Sequence, residues 1–223
     1  MKNKLVLVRH GQSEYNKDDI FTGWRNPPLT EQGCNESIEV AKVLQSKKIN
    51  FDVAFTSSLL RAQDTLSIIM KNMANKSTST IIDSRLNEKH YGILQGKSKK
   101  FAIDKYGVEQ VEKWRRGYDE KPPDLDIITD EEKFENTITP LSESLADVEK
   151  RVLDCYYEKI NPILFDGGSI LVVAHGNSLR SLIMKLDKMS KENIEKFNIP
   201  NGGIMAYDIN PNGHLIHPHF VLL

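Results

Sequence analysis

Cysteine is scarce in this chain: the 223 residues hold two, Cys34 and Cys155. They make neither a disulfide framework nor a metal-ligand spacing, which excludes a small stapled scaffold and a Cys-based zinc domain. Long apolar runs are missing too, and none approaches the ~20 residues that span a bilayer. Met1-Lys-Asn-Lys passes straight into Leu-Val-Leu-Val, which is too short for the apolar core of a signal peptide. Charge of one sign is also absent, since 30 Lys+Arg face 31 Asp+Glu for a net charge of −1. That balance excludes a broad basic surface for nucleic acid or anionic membrane. The expectation is a soluble, cytoplasmic protein of the reducing compartment, with neither nucleic acid nor membrane as partner. A hydrophobic content of 39% excludes a disordered chain and suffices for a sizeable core.

Short apolar runs carry the architecture. Lys4-Leu-Val-Leu-Val8 and Ser169-Ile-Leu-Val-Val-Ala174 are continuous, β-branched and bounded by polar or glycine residues. This is the pattern of strands buried on both faces, as in a parallel sheet covered by helices. Asp52–Thr56 and Thr80–Asp83 are further strand candidates. Gly203–Asp208 and His214–His217 flank Asn210-Pro-Asn-Gly213, which reads as a hairpin turn. Between the runs, Leu59, Ala62, Leu66, Ile69 and Met73 recur at helical spacing, as do Leu145, Val148, Val152 and Cys155, with Ser142 or Ser144 as cap. Thr30 opens another helix, running to about Lys48. Strands alternating with helices predict a doubly wound α/β sheet. No linker divides the chain, so 1–223 reads as one domain. The acidic stretch Pro122–Pro140 has few apolar residues and reads as a mobile loop.

His10 and His175 each follow a buried-strand run directly and each precedes a glycine. In open α/β sheets ligands bind outside the carboxyl ends of the strands. A single strand-end histidine would read as an ordinary buried side chain; two in the same strand-His-Gly context point to chemistry. Neutral imidazole is nucleophilic and titrates near pH 6.5, so it can take up a phosphoryl group. Such a site needs fixed positive charge. Arg9 adjoins the first histidine, Arg61 opens the helix after the second strand, and guanidinium binds phosphate oxygens in pairs. The stretch after His175 reads as a helix N-terminus, whose free N–H groups favour anions. His214, His217 and His219 are not read as a zinc site, because no Cys or carboxylate stands at ligand spacing nearby.

Arg9-His10-Gly11 with a late His175-Gly176 resembles the histidine phosphatase superfamily. Finer motifs narrow the resemblance: the run through Gln12-Ser-Glu-Tyr-Asn16, Phe21-Thr-Gly-Trp24, Leu86-Asn-Glu-Lys-His-Tyr-Gly92, Leu94-Gln-Gly96, Trp114-Arg-Arg116 and Ala174-His-Gly-Asn-Ser-Leu-Arg180. Together, from about Lys4 to Tyr207, they are similar to the cofactor-dependent phosphoglycerate mutases. The resemblance implies a three-layer sandwich, its mostly parallel doubly wound sheet carrying an antiparallel edge and flanked by helices. It implies interconversion of 3- and 2-phosphoglycerate in glycolysis and gluconeogenesis through a phosphohistidine, with 2,3-bisphosphoglycerate as primer, no metal and usually a dimer. Carried over by position, His10 is the nucleophile and Glu88 the proton shuttle. His175, Arg9 and Arg61 stabilise the phosphoryl group. Ser13, Asn16, Thr22 and Gly23 contact phosphate and carboxylate. Tyr91, Lys99, Arg115 and Arg116 form the far side, and Gly176 and Asn177 complete the phosphoryl loop.

Two departures accompany the match. The 123–141 segment, part of the family's lid, is shorter than in the long bacterial mutases. The chain also ends at Val221-Leu-Leu223 without an extended Lys/Gly-rich tail, which predicts more hydrolysis relative to transfer. Two other readings stay open at this stage: a phosphatase sharing His10, Arg9, Arg61 and His175, and a binding protein that retains only the pocket. Lys99 with Arg115-Arg116 argues against the first, and the intact set of chemical residues against the second.

Overall fold

The computed structural model describes residues 3–73, 78–134, 137–210 and 215–222. Six strands form one sheet: β1 (Asn3–Arg9), β2 (Val53–Thr56), β3 (Ser79–Ile82), β4 (Ile170–Ala174), β5 (Ile204–Ile209) and β6 (Leu215–Leu222). Their order is β3-β2-β4-β1-β5-β6, with β3, β2, β4 and β1 parallel. The pairs β1–β5 and β5–β6 are antiparallel and make the antiparallel edge. The helices are α1 (Glu14–Lys17), α2 (Glu31–Ser46), α3 (Leu60–Asn72), α4 (Lys99–Tyr106), α5 (Val108–Arg116), α6 (Leu145–Cys155), α7 (Asn161–Phe165), α8 (Gly176–Leu186) and α9 (Lys191–Lys196). The expected hairpin pairing is present, while Pro211–Gly213 of the expected turn lie outside the described residues, as do His214 and the side chains of His217 and His219.

The central strands are buried on both faces, as their unbroken apolar runs require. Leu5 and Leu7 of β1 and Ile170, Val172 and Ala174 of β4 pack with α6 and α8 through Val148, Val152, Leu179, Leu182 and Ile183. The alternate residues Val6, Val8, Leu171 and Val173 pack with α2 and α3 through Val40, Leu44, Ala62, Leu66 and Ile69. The period of two along each strand thus feeds two separate helical layers. Thr30 caps α2 by accepting the Gly33 N–H at 3.0 Å. Ser144, not Ser142, caps α6, in a reciprocal box with Asp147. A third, smaller cluster joins α4 and α5 to Phe21 and Leu94 through Ala102, Val111 and Trp114. This cluster holds the helical insert against the carboxyl ends of the strands.

Part of the 122–140 stretch, expected as a mobile loop, is anchored to the rest of the chain. Its described residues include a turn at Asp130–Glu132 whose Glu132 side chain is fully buried. That carboxylate caps its own turn through Thr129, accepts from Gln95 and lies 3.4 Å from the Arg25 guanidinium. A carboxylate goes inside only when donors are supplied, and these come from distant parts of the chain.

The turn leaving β1 passes so close to α2 that a Cβ on Gly11 would stand 2.2 Å from the Gly33 carbonyl oxygen. Backbone cannot yield as a flexible side chain does. Gly11→Ala is expected to cost about 2 kcal/mol or more by forced separation of the two segments, read as a lower urea midpoint at unchanged slope; an unaltered midpoint would contradict the close approach.

Candidate active site

Parallel pairing brings the two histidines together. Arg9 of β1 stands opposite Ala174 of β4, and the His10 N–H donates to the Ala174 carbonyl at 2.9 Å. The next residue on each strand is a histidine, so the rings emerge at the same height with centroids 5.0 Å apart. Both rings are buried. His10 Nδ1 lies 2.6 Å from the Gly11 carbonyl oxygen. A carbonyl can only accept, so Nδ1 carries the proton and Nε2 keeps its lone pair. Arg61 Nε donates to that Nε2 at 3.3 Å.

Burial first, then the positive charges of Arg61 and Arg9, hold the His10 imidazole well below its ordinary range. His175 is lowered in the same way by burial, Arg61, His10 and Arg9. Both rings are therefore neutral at pH 7, and Nε2 of His10 keeps an unprotonated lone pair, which accepts the Arg61 N–H. His175 caps α8 and its Nε2 lies 2.7 Å from the Ser57 hydroxyl. Arg61 is placed by two carbonyls, Arg25 O at 2.8 Å and Gly23 O at 2.9 Å. Its own burial draws its pKa down to about 10. Gly23 has a φ of +54°, and a Cβ there would overlap the Gln95 amide at 1.8 Å. Only glycine allows this loop to present its carbonyl to Arg61.

Arg9 and Gly23, which adjoin these groups, help line a cavity of about 240 Å³. Among its lining residues are Arg9, Lys99, Arg115, Arg116 and Arg180 as cations and Glu88 as the single carboxylate. Of the residues the sequence singled out, Arg9, Asn16, Thr22, Gly23, Glu88, Tyr91, Lys99, Arg115, Arg116, Gly176 and Asn177 line it. His10, Arg61 and His175 are buried and do not line it. Ser13 does not line the cavity: it is buried, and its hydroxyl caps α1, accepting the Asn16 N–H and donating to Asn16 Oδ1 at 3.0 Å. Glu88 Oε1 accepts the backbone N–H of Asn177 at 3.1 Å, which ties the carboxylate to the first turn of α8. A Cβ on Gly176 would be 3.6 Å from Glu88 Oε2 and 3.7 Å from Arg9 Cζ, so the loop runs between an acid and a guanidinium.

Sequence reasoning missed Arg180, Asn198 and Asn201, which also line the cavity. Asn201 Nδ2 donates to the His10 carbonyl at 3.0 Å, and Asn198 Oδ1 accepts from Arg116 at 3.0 Å. Arg180 closes the run from Ala174 that carries the second histidine, but nothing in its spacing marks it as pocket-facing. Among the described residues no group of three or more His, Cys, Asp or Glu is placed to hold a metal, and no helix is long and apolar enough to cross a membrane.

Two neutral histidines at adjacent strand ends, bracketed by guanidinium groups, define a phosphoryl-handling class, and the chain belongs to the histidine phosphatase superfamily (branch 1), whose sequence profile matches residues 5–219. Within that class, the 2,3-bisphosphoglycerate-dependent phosphoglycerate mutase of Parvibaculum lavamentivorans is 41% identical over 222 residues, covering 100% of this chain and 98% of that protein. The same-named protein of Rhizobium meliloti is 45% identical over 210 residues, covering 94% and 92%. Among solved structures, the alpha-ribazole phosphatase from Shigella flexneri aligns with a TM-score of 0.72 at 23% identity, over 95% of this chain and 93% of that one. Bacillus stearothermophilus YhfR aligns with a TM-score of 0.74 at 20% identity, over 96% and 94%. At these identities the solved structures share the fold.

The buried neutral rings carry a consequence for stability. In the unfolded chain each imidazole binds a proton below about pH 6.5, whereas in the folded chain it does not. Stability from these two groups is therefore present above that pH and lost as pH falls, with a limiting slope of roughly 1 kcal/mol per pH unit for each ring. Urea midpoints measured from pH 7 to pH 5 should fall for the wild type and fall less steeply for His10→Gln. Equal slopes for the two proteins would contradict neutral burial of His10.

Proposed function

We propose that this chain is a phosphoglycerate mutase, an isomerase that interconverts 3- and 2-phosphoglycerate through phosphorylated His10. The observation that carries the reading is the pairing of a buried set, the neutral His10 and His175 with Arg61, with a neighbouring cavity whose lining holds five cations and one carboxylate. Near-full-length relatives at 41% and 45% identity bear the mutase name. The small-molecule partner is a phosphoglycerate. We read residues 1–223 as one domain acting in the cytoplasm as a homodimer, and β3, one of the two edge strands of the sheet, offers a surface for such pairing.

The residues fit 2,3-bisphosphoglycerate. Arg9 Nε is buried without a hydrogen-bond partner among the described residues, and the cavity wall beyond it holds Lys99, Arg115 and Arg116. Arg9 and Asn177 would hold one end of such a polyanion, and Lys99, Arg115 and Arg116 the other. When bound, 2,3-bisphosphoglycerate supplies the phosphoryl group that primes the enzyme.

The chain's own groups divide the work. His10 Nε2 forms the N–P bond with its lone pair as the Arg61 N–H that it accepts turns to the phosphoryl oxygens, while the Nδ1 proton stays on the ring, held by the Gly11 carbonyl. As the P–O bond to the leaving hydroxyl breaks, the electron pair stays on that oxygen, which takes a proton from the Glu88 carboxyl. In the reverse transfer the Glu88 carboxylate takes the proton of the attacking hydroxyl, so one group serves both directions. Arg9 and Arg61 would supply fixed positive charge, and the neutral His175 a ring N–H donor, to the transferring oxygens. Such preorganised charge is the largest general source of acceleration for phosphoryl transfer. Arg115 and Arg116 hold the substrate's distal carboxylate or phosphate, a grip that a simple phosphatase does not need.

Incubation with labelled 2,3-bisphosphoglycerate should leave an acid-labile, alkali-stable label on the wild type and none on His10→Ala. Label surviving in that variant would refute the nucleophile. Arg116→Ala should chiefly raise the KM for 3-phosphoglycerate, by about tenfold, as expected when one charged contact to substrate is lost. Formation of 2-phosphoglycerate should require the primer and continue in the presence of chelator; strict metal dependence would count against the reading.

A further inference from the structure

Arg180 sits in the second turn of α8, on the same helix whose first turn meets Glu88, and is buried. Its guanidinium reaches in two directions. Nη1 donates to Asn177 Oδ1 at 2.8 Å. Nη2 donates to the carbonyls of Arg116 at 2.8 Å and Ile194 at 2.6 Å. These carbonyls lie in the last turns of α5 and α9, where the helix dipole favours a cation, and the Ile194 carbonyl accepts the Phe197 N–H as well. Lys89, also buried, donates in the same way to Trp114 O at 2.5 Å. The end of α5 is thus held from inside by two buried basic side chains, of which Lys89 has its pKa drawn down to about 7 by burial.

That last turn bears Arg115 and Arg116, which line the far wall of the cavity. Asn177, on Arg180's other side, gives its backbone N–H to Glu88 and its amide Nδ2 to the Tyr91 hydroxyl at 3.0 Å. One guanidinium therefore spans the strand-end loop and the helix end that carries the distal cations. This placement costs stability: burial, then repulsion from Arg116, lowers the Arg180 pKa to about 10. An apolar side chain would fill the space without that cost. What it would lack is simultaneous reach to Asn177 and to Arg116 O.

We propose that Arg180 is a positioning residue that sets the span between the Gly176–Asn177 loop and the Arg115–Arg116 pair, and thereby selects phosphate esters bearing a second anionic group at that distance. The proposal rests on the mutase reading and specifies how the substrate class is measured out. Arg180 acts through Arg116 and Asn177 and need not touch the reacting atoms.

The test is a double-mutant cycle on the purified full chain, with 3-phosphoglycerate and primer. Arg180→Met in the wild-type background should raise KM by about tenfold or more with a smaller change in kcat, as for groups of one network. In an Arg115→Ala/Arg116→Ala background the same change should cost less than about threefold, because the guanidinium groups to be positioned are gone. Arg180→Lys, which keeps a donor to Arg116 O, should recover part of the KM. Equal factors in both backgrounds, or a loss confined to kcat, overturn the proposal by making Arg180 independent of the pair. Thermal midpoints accompany each variant; if Arg180→Met does not fold, Arg180→Lys and Arg180→Gln run through the same cycle and decide by the same criterion. A wild-type chain that forms no 2-phosphoglycerate overturns the mutase reading itself, a result distinct from wild-type turnover with equal factors.

Discussion

The parallel pairing of β1 with β4 is the constraint on which the rest depends. Leu5 to Arg9 run opposite Ile170 to Ala174 one for one, and His10 and His175 follow at the same step. A slip of one residue would shift one ring along the sheet by about 3.3 Å and exchange the helical layer that each strand residue faces. Leu5 and Leu7 would then meet the space shaped for Val6 and Val8. Packing on both faces therefore fixes the register, and the register fixes a ring separation of 5.0 Å. Burial of the core and placement of the chemistry are consequences of one alignment.

A second regularity lies in how the buried cations are partnered. Arg9 donates to Ile199 O at 2.5 Å, Arg61 to Gly23 O and Arg25 O, Lys89 to Trp114 O, and Arg180 to Arg116 O and Ile194 O. Carbonyl dipoles take up terminal N–H donors and hold each side chain in place without cancelling its charge, while the Nε of Arg9 and of Arg180 has no hydrogen-bond partner among the described residues. Carboxylate partners would hold equally well and would neutralise the field. The exceptions are toward the rim, where Lys99 pairs with Asp19 and Arg115 with Glu112. The inner part of the pocket thus keeps a positive potential that only an incoming anion relieves. The desolvation cost of those cations is met by the surrounding fold, as expected where charge is preorganised for reaction.

The strands were legible because doubly buried strands must be apolar without interruption, and the histidines because they interrupt those runs at the functional edge. Arg61 was legible from its place at the start of an amphipathic helix. Glu88, Tyr91, Lys99, Arg115 and Arg116 were not, except through resemblance to a family. They sit in short turns and at the ends of short helices, where no period separates an inward side chain from a solvated one. Ser13 shows the converse: a hydroxyl close to the nucleophile in sequence is used up in capping α1. Arg180 escaped because a helix with Leu179, Leu182, Ile183 and Leu186 buried gives no sign that the intervening arginine is buried too. Its partners are backbone carbonyls of α5 and α9, which leave no mark in the sequence.

The acidic stretch after Pro122 illustrates the same limit from the side of stability. Its composition describes a solvated loop, yet Glu132 is inside because Gln95, Thr129 and Arg25 receive it. The Gln95 amide works in two directions. Its NH2 donates to Glu132, while its carbonyl accepts the N–H of Trp24 at 2.9 Å and of Tyr91 at 3.3 Å. Trp24 follows Gly23 and precedes Arg25, the two residues whose carbonyls place Arg61. The seat of the acidic segment and the seat of the guanidinium beside His10 therefore share one side chain. Removing the buried carboxylate would leave the Gln95 NH2 without that acceptor and the loop under Arg61 with one less restraint, so a residue remote from the cavity bears on the geometry at the nucleophile.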